Sequence, residues 1–204
     1  QKFSPKLVSE TLRKLTLICS QNTFSSTRFI KLGANEESLI NTGSLKFDSD
    51  DSIDVDLANS LRQMVGDRLV SVFASTRDGE ERLIIESYLK HKDQMNCLLV
   101  IIPRHPERFD EAAKIAKGFG LNVNRRSEAE NCSEDTDILV GDSMGEMMAY
   151  YSISDIAFIG GSLTDNGCQN MLEAASLSKP IIFGPSVYNF EEISKQLLDN
   201  DASI

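Results

Sequence analysis

Side chains able to hold an anion or a sugar diol are concentrated in four short segments of this 204-residue chain, each directly after an apolar run. Residues 70–74 are followed by Ser75-Thr76-Arg77-Asp78-Gly79-Glu80, and residues 97–102 by Pro103-Arg104-His105-Pro106. Residues 138–140 lead into Gly141-Asp142-Ser143-Met144-Gly145-Glu146-Met147-Met148. Residues 156–159 open into Gly160-Gly161-Ser162 and then Asp165-Asn166-Gly167-Cys168-Gln169-Asn170-Met171-Leu172-Glu173. Hydroxyls beside free backbone N–H groups at a helix start suit a phosphate or carboxylate. Ser75, Thr76 and Asp78 suit a plain N-cap as well. Arg104, held between two prolines, can grip an anion bidentately; as a mere surface arginine it would oppose the helix macrodipole. His105 in the same loop reads as structural. Glycines at 141 and 145 let a ligand approach the backbone, but the Gly-Lys-Ser/Thr ending of a P-loop is missing. Asn170 and Glu173, three apart on a first helical turn, can hold a ribose diol or form a capping box. Each signal alone is weak; four on successive strand ends are not.

The elements that must carry these segments alternate regularly. Residues 15–19 read as a buried strand, 23–32 as a helix closed by Gly33, and 39–45 as a second extended run. An acidic stretch over 48–56 has the look of a linker. The sequence thus divides into 1–47 and 48–204. Beyond it, strands are expected at 68–74, 97–102, 121–124, 137–140, 156–159 and 180–183. Helices are expected at 79–92, with Leu83, Ile84, Ser87 and Tyr88 on one face, and at 106–118, 144–151, 170–177 and 190–198. Continuous apolar strands separated by helices predict a doubly wound, Rossmann-like parallel sheet, in which ligands bind beyond the carboxyl ends of the strands.

Composition removes several classes. With 31 acidic against 21 basic residues the formal charge is −10, which is wrong for a nucleic-acid module that must neutralise phosphates. Cys19, Cys97, Cys132 and Cys168 lie far apart and only two histidines are present, so neither a zinc site nor a disulfide framework is expected. Cys97 reads as a small core residue. Apolar runs fall far short of the roughly 18 residues a membrane span needs. Gln1-Lys2-Phe3-Ser4-Pro5 lacks the apolar stretch of a signal peptide. A soluble, non-secreted α/β chain is the expectation.

Taken together, Pro103-Arg104-His105-Pro106-Glu107-Arg108-Phe109, Gly141 to Met147, Gly160-Gly161-Ser162, Asn170-Met171-Leu172-Glu173, Phe183-Gly184-Pro185 and Tyr188-Asn189-Phe190 resemble the 3-deoxy-D-manno-octulosonic acid (Kdo) transferase family of lipopolysaccharide synthesis. The likeness is to its C-terminal, donor-binding half. Gly43-Ser44-Leu45-Lys46-Phe47-Asp48 resembles the family's interdomain Gly-Asn-Leu-Lys-Phe-Asp, making 1–47 the tail of an acceptor domain and 48–204 a C-terminally truncated donor domain. The resemblance implies a two-Rossmann GT-B architecture, CMP-Kdo as donor and a lipid A precursor (lipid IVA) as acceptor. It places the parent enzyme at the cytoplasmic face of the bacterial inner membrane. It further implies that CMP is held by Pro103, Arg104, Met144, Gly145, Glu146, Asn170, Met171, Leu172 and Glu173, with Glu173 on the ribose. Ser75, Thr76, Gly161, Ser162 and Gln169 are additional candidate contacts. No metal or other cofactor is expected.

The resemblance puts the general base, the acceptor surface and the membrane contact in the other half, so this chain alone is expected to bind donor without turning it over. Gln169 and Met171 stand where the family commonly has His and Pro (Gly-Gly-His-Asn-Pro-Leu-Glu). Gln169 keeps a polar side chain but cannot titrate near neutral pH. The competing reading is another GT-B enzyme using a UDP-sugar, a transferase or a 2-epimerase-like protein. A non-catalytic dinucleotide-binding domain is disfavoured because no G-x-G-x-x-G follows the first strand of the regular region.

Overall fold

The computed structural model describes residues 4–43 and 52–204, and the chain divides into two compact units, Gln1–Asp50 and Asp51–Ile204. The expected interdomain motif from Ser44 to Asp48, and the acidic stretch behind it as far as residue 51, lie outside the described residues.

In the first unit, α1 (Pro5–Leu12), β1 (Ile18–Ser20), α2 (Thr23–Lys31) and β2 (Leu39–Asn41) surround a two-stranded parallel pairing. Asn22 caps α2 by accepting the Ser25 N–H at 2.8 Å. Gly33 follows α2 with φ +101°, and a Cβ there would stand 2.2 Å from the Ser9 hydroxyl. Among the described residues the pairing covers 18–20 and 39–41, so the first strand is shorter than its apolar run suggested, while the end of the expected 39–45 run lies outside the described residues.

The second unit holds six parallel strands: β3 (Leu69–Thr76), β4 (Cys97–Pro103), β5 (Val123–Arg125), β6 (Ile138–Val140), β7 (Ile156–Ile159) and β8 (Ile181–Phe183). Their order is β5-β6-β4-β3-β7-β8, all neighbours parallel. The chain steps outward from β3 through β4 to β5 and β6, then crosses to the far side of β3. The reversal therefore falls at β3, where a ligand crevice is expected.

Side-chain alternation along the strands divides the core in two. Val70, Val72 and Ala74 of β3, with Leu98, Val100 and Ile102 of β4, face α3 (Val55–Val65), α6 (Met147–Ile153), α7 (Leu172–Ser176) and α8 (Glu191–Asp199). Leu99 and Ile101 of β4, with Ile138 and Val140, face α4 (Glu80–His91) and α5 (Phe109–Gly118). Helices on both faces explain why β4 is buried at every position; each aliphatic side chain so buried contributes about 1.5–3 kcal/mol.

Several expectations need correction. Helix α3 occupies the end of the presumed linker, because Asp54 caps it by accepting the Leu57 N–H and Leu61, Met64 and Val65 supply a buried face. On α4 the buried apolar side chains are Ile84, Ile85 and Tyr88, whereas Leu83 and Ser87 are exposed. Pro106–Arg108 forms a 3-10 turn ahead of α5, and Leu121 enters the second core before β5 begins. The helices expected from Met144 and Asn170 start later, at Met147 and Leu172.

Candidate functional site

The carboxyl ends of β3, β4, β6 and β7 converge on one cavity of about 180 Å³. At β3 the ladder to β4 shifts register between Ala74 and Thr76. Ser75 occupies that irregularity with φ 55° and lines the cavity, while Thr76 turns inward. At β4, Pro103 is buried and Arg104 projects outward, its backbone N–H bonded to the Thr76 carbonyl at 3.0 Å. No carboxylate pairs with the Arg104 guanidinium among the described residues.

After β6 the chain runs through Asp142, whose carboxylate accepts from the Ser127 backbone and hydroxyl and from Arg125. Burial works against that charge, yet these three donors hold the Asp142 carboxyl below its ordinary value. The loop so anchored carries Ser143, Met144, Gly145 and Glu146 into the cavity wall. Gly145 has φ +80° with open space where its Cβ would be, the conformation and clearance a ligand approaching the backbone needs. Glu146 Oε2 accepts from the Ser143 hydroxyl at 2.6 Å and from Arg126 Nε at 3.1 Å.

After β7 the wall is finished by Gln169, Asn170 and Glu173. Asn170 accepts the Leu172 N–H at 3.2 Å, which starts α7, and donates to Glu173 Oε1 at 3.0 Å, which aims the carboxylate. Asn170 thus closes a tight turn ahead of α7 and both side chains border the cavity, but the reciprocal capping box is not formed, because Glu173 accepts from the Asn170 side chain and not from its backbone N–H.

Nine of the fourteen candidate residues thus meet in one place. The cavity does not take in Thr76, Gly161, Ser162, Met171 or Leu172. Thr76 donates to buried Glu81 at 2.8 Å, and Ser162 donates to the Ile159 carbonyl at 2.5 Å. Gly161 N–H is taken by Glu80, Met171 is wholly buried, and Leu172 packs against the first core. These residues shape the loops from behind.

Two residues not singled out from sequence matter here. Glu80 is 0% exposed, and its carboxylate accepts the N–H groups of Arg77, Gly161, Ser162 and Leu163 at 2.7–3.0 Å. It staples the β7 loop to the start of α4. In sequence it looks like an ordinary acidic residue of a first helical turn. Tyr150 of α6 lines the cavity floor, and its hydroxyl is buried. Burial pushes its phenol well above the usual range, and the nearby Ser143 hydroxyl offsets this only in part. Its apolar neighbours concealed it as core. The backbones behind the wall are equally close: a Cβ at Gly160 would stand 2.5 Å from the Ser75 carbonyl oxygen.

The wall offers an unpaired guanidinium, two carboxylates, amides, hydroxyls and an open backbone, a set suited to a phosphorylated sugar or nucleoside. Enclosing a small-molecule ligand takes roughly 300–1,000 Å³, so this unit covers only one side of one. Among the described residues no group of three or more His, Cys, Asp or Glu is placed to hold a metal ion, and no helix is long and apolar enough to cross a membrane.

Comparison with known proteins bears on both units. A family model described as 3-deoxy-D-manno-octulosonic-acid transferase (kdotransferase) matches residues 1–49. A 3-deoxy-D-manno-octulosonic acid transferase of Haemophilus influenzae is 39% identical over 91% of this chain and 44% of its own length. One of Bordetella pertussis is 35% identical over 96% of this chain and 46% of its own. The chain thus spans less than half of either curated relative. The crystal structure of the C-terminal CMP-Kdo binding domain of WaaA from Acinetobacter baumannii superposes with a TM-score of 0.69 at 34% identity, covering 74% of this chain and 80% of that one. A glycosyltransferase from Rickettsia africae, at 12% identity and a TM-score of 0.56 over 97% of this chain and 58% of its own, shares the fold alone.

Proposed function

The chain belongs to the Kdo transferase family, and on that premise we propose that residues 51–204 form the donor-binding half of a GT-B glycosyltransferase that holds CMP-Kdo. The observation that carries this reading is the gathering of Arg104, Glu146, Asn170 and Glu173 around one cavity at the sheet's carboxyl ends. CMP presents a phosphate, a ribose diol and a base with an exocyclic amino group. Arg104, with no carboxylate of its own, supplies charge-assisted donors to the phosphate. Glu173, aimed by Asn170, accepts from the ribose hydroxyls. Glu146 keeps Oε1 free of protein partners and can accept from an amino group, which favours cytosine over uracil. Met144, Gly145 and Asn170 line the same cavity.

In this reading the acceptor is a lipid A precursor at the cytoplasmic face of the inner membrane. The general base and the acceptor surface come from the other half of the cleft, and donor binding needs no metal. Calorimetric titration of the 204-residue chain with CMP, UMP and ADP tests it. CMP should bind at least about tenfold more tightly than either rival, a difference of about 1.4 kcal/mol. Equal affinity for UMP, or no binding of CMP, would overturn the assignment. Transfer of Kdo to a lipid A precursor by this chain alone should be undetectable; steady turnover would refute the placement of the base.

A further inference from the structure

Arg77 is the second guanidinium at this end of the sheet without a carboxylate. The first-turn carboxylates around it are occupied elsewhere. Asp78 and Glu81 pair with Arg108, while Glu80 is spent on four backbone N–H groups. Arg108, Arg125 and Arg126 each have at least one carboxylate within 3.1 Å, whereas Arg77 is in no ion pair among the described residues. Its Nη1 meets His105 Nε2; a guanidinium can only donate, so the imidazole nitrogen accepts. Its Nε is buried and has no partner. A side chain with five donors is thus held by one neutral acceptor, in a chain with a net charge of −10.

Its position is as telling as its lack of partners. Arg77 lies two residues beyond Ser75, which lines the cavity. A Cβ at Gly161 would stand 3.2 Å from Gln169 Nε2, 3.5 Å from Asn166 Cβ and 3.6 Å from Arg77 Cγ, so the Arg77 stem packs close to Gln169, which lines the cavity. Arg77 follows the end of β3 just behind the cavity wall, whereas Arg104 lines the cavity at the end of neighbouring β4. The backbone bond from Arg104 N–H to the Thr76 carbonyl joins the two strand ends.

We infer that Arg77, positioned by His105, binds the carboxylate of the donor's acidic sugar while Arg104 serves the phosphate. The inference rests on the CMP-Kdo reading above. That donor carries two separate anions, a phosphodiester and a sugar carboxylate, and the site presents two unpaired guanidiniums on adjacent strands. A carboxylate beside Arg77 supplies the counter-charge that the fold withholds from it, and a planar guanidinium fits carboxylate geometry. His105 is a positioning residue, holding Nη1 so that the rest of the fork faces the sugar.

The test compares CMP, CMP-Kdo and the carboxamide analogue of CMP-Kdo on the 204-residue chain, by calorimetry with parallel melts. Arg77→Met should weaken CMP-Kdo about tenfold, leave CMP within about twofold, and bind the carboxamide as wild type does. Arg104→Ala should weaken all three alike. Arg77→Lys should recover part of the loss, which a purely structural role would not predict. His105→Ala should weaken CMP-Kdo more than CMP. Equal losses for CMP and CMP-Kdo in Arg77→Met and Arg77→Lys, or none, overturn the Arg77 assignment alone. Failure of the wild type to bind CMP overturns the donor reading and this inference with it.

Discussion

Arg108 and Arg104 lie four residues apart on the same strand-to-helix connection, yet they belong to opposite kinds of region. Arg108 is half-buried at the centre of an ion-pair cluster: it donates to Asp78 and Glu111 at 3.0 Å and to fully buried Glu81 at 2.9 Å. Burial works against its charge, but Glu81 foremost, then Glu111 and Asp78, raise its pKa further. Arg104 stands in the open with none of these. The difference teaches that an arginine's role is set by whether the fold has already provided its counter-charge. Where it has, the residue holds elements together; where it has not, the residue is left for a ligand.

The sharpest way to break this contrast is to empty the cluster. Arg108→Ala should destabilise the second unit by about 3–5 kcal/mol, because Glu81 is left buried with only the Thr76 hydroxyl. The double variant Arg108→Met, Glu81→Leu should recover most of that in urea unfolding, and no recovery would show that the ion pair is not the cause. Glu80→Gln comes next, at about 2–3 kcal/mol, since an amide nitrogen cannot accept from the backbone N–H groups it would face. It should also weaken CMP binding by releasing the 161–163 loop, as calorimetry would register.

The open region should respond in the reverse sense. Arg104→Ala and Glu173→Ala should each weaken CMP binding by about 1.5–3 kcal/mol while melting within about 2 °C of wild type. A large drop in melting temperature for Arg104→Ala would place it in the cluster after all.

The smallest effect is a pH slope. Asp137 is buried, which opposes its charge, but Lys92, the Asn122 N–H and Tyr88 hold its carboxyl below the ordinary value, and Asp142 is held low in the same sense. A carboxyl lowered on folding contributes stability that is complete above the ordinary value near 4 and is lost as pH falls through the folded value. Urea midpoints should therefore fall with pH below about 4, and Asp137→Asn should flatten that fall. An unchanged slope would mean that the acid limb arises elsewhere.

Much of this was legible in the sequence, for definite reasons. Parallel strands buried on both faces are written as unbroken apolar runs, so residues 97–102 and 156–159 locate their strands almost to the residue. Helix α3 was hidden because its cap, Asp54, sits inside an acidic run that reads as solvent-exposed, although Leu57, Leu61, Met64 and Val65 already carry helical spacing. In the site, Arg104, Asn170 and Glu173 declared themselves by type on the free ends of strands, whereas Glu146 was named only through the family resemblance. The supporting shell did not. Nothing local separates Glu80, which grips a loop more than 80 residues away, from Glu81, or Tyr150 from its buried neighbour Tyr151.

That grip also fixes the order in which the unit can assemble. The contacts of Glu80 with Gly161, Ser162 and Leu163 close loops of 81, 82 and 83 residues. Closure of that kind loses chain entropy before it gains a bond, and non-local pairings form slowly. Until β7 has docked beside β3, the Glu80 carboxylate has only the Arg77 N–H among its four final donors. A nascent chain ending before residue 161 therefore leaves Glu80 a charge that favours staying in water, and the half-made sheet opposes its burial. The wall that carries Gln169, Asn170 and Glu173 arrives with the same docking step, so binding competence should emerge late in folding and all at once.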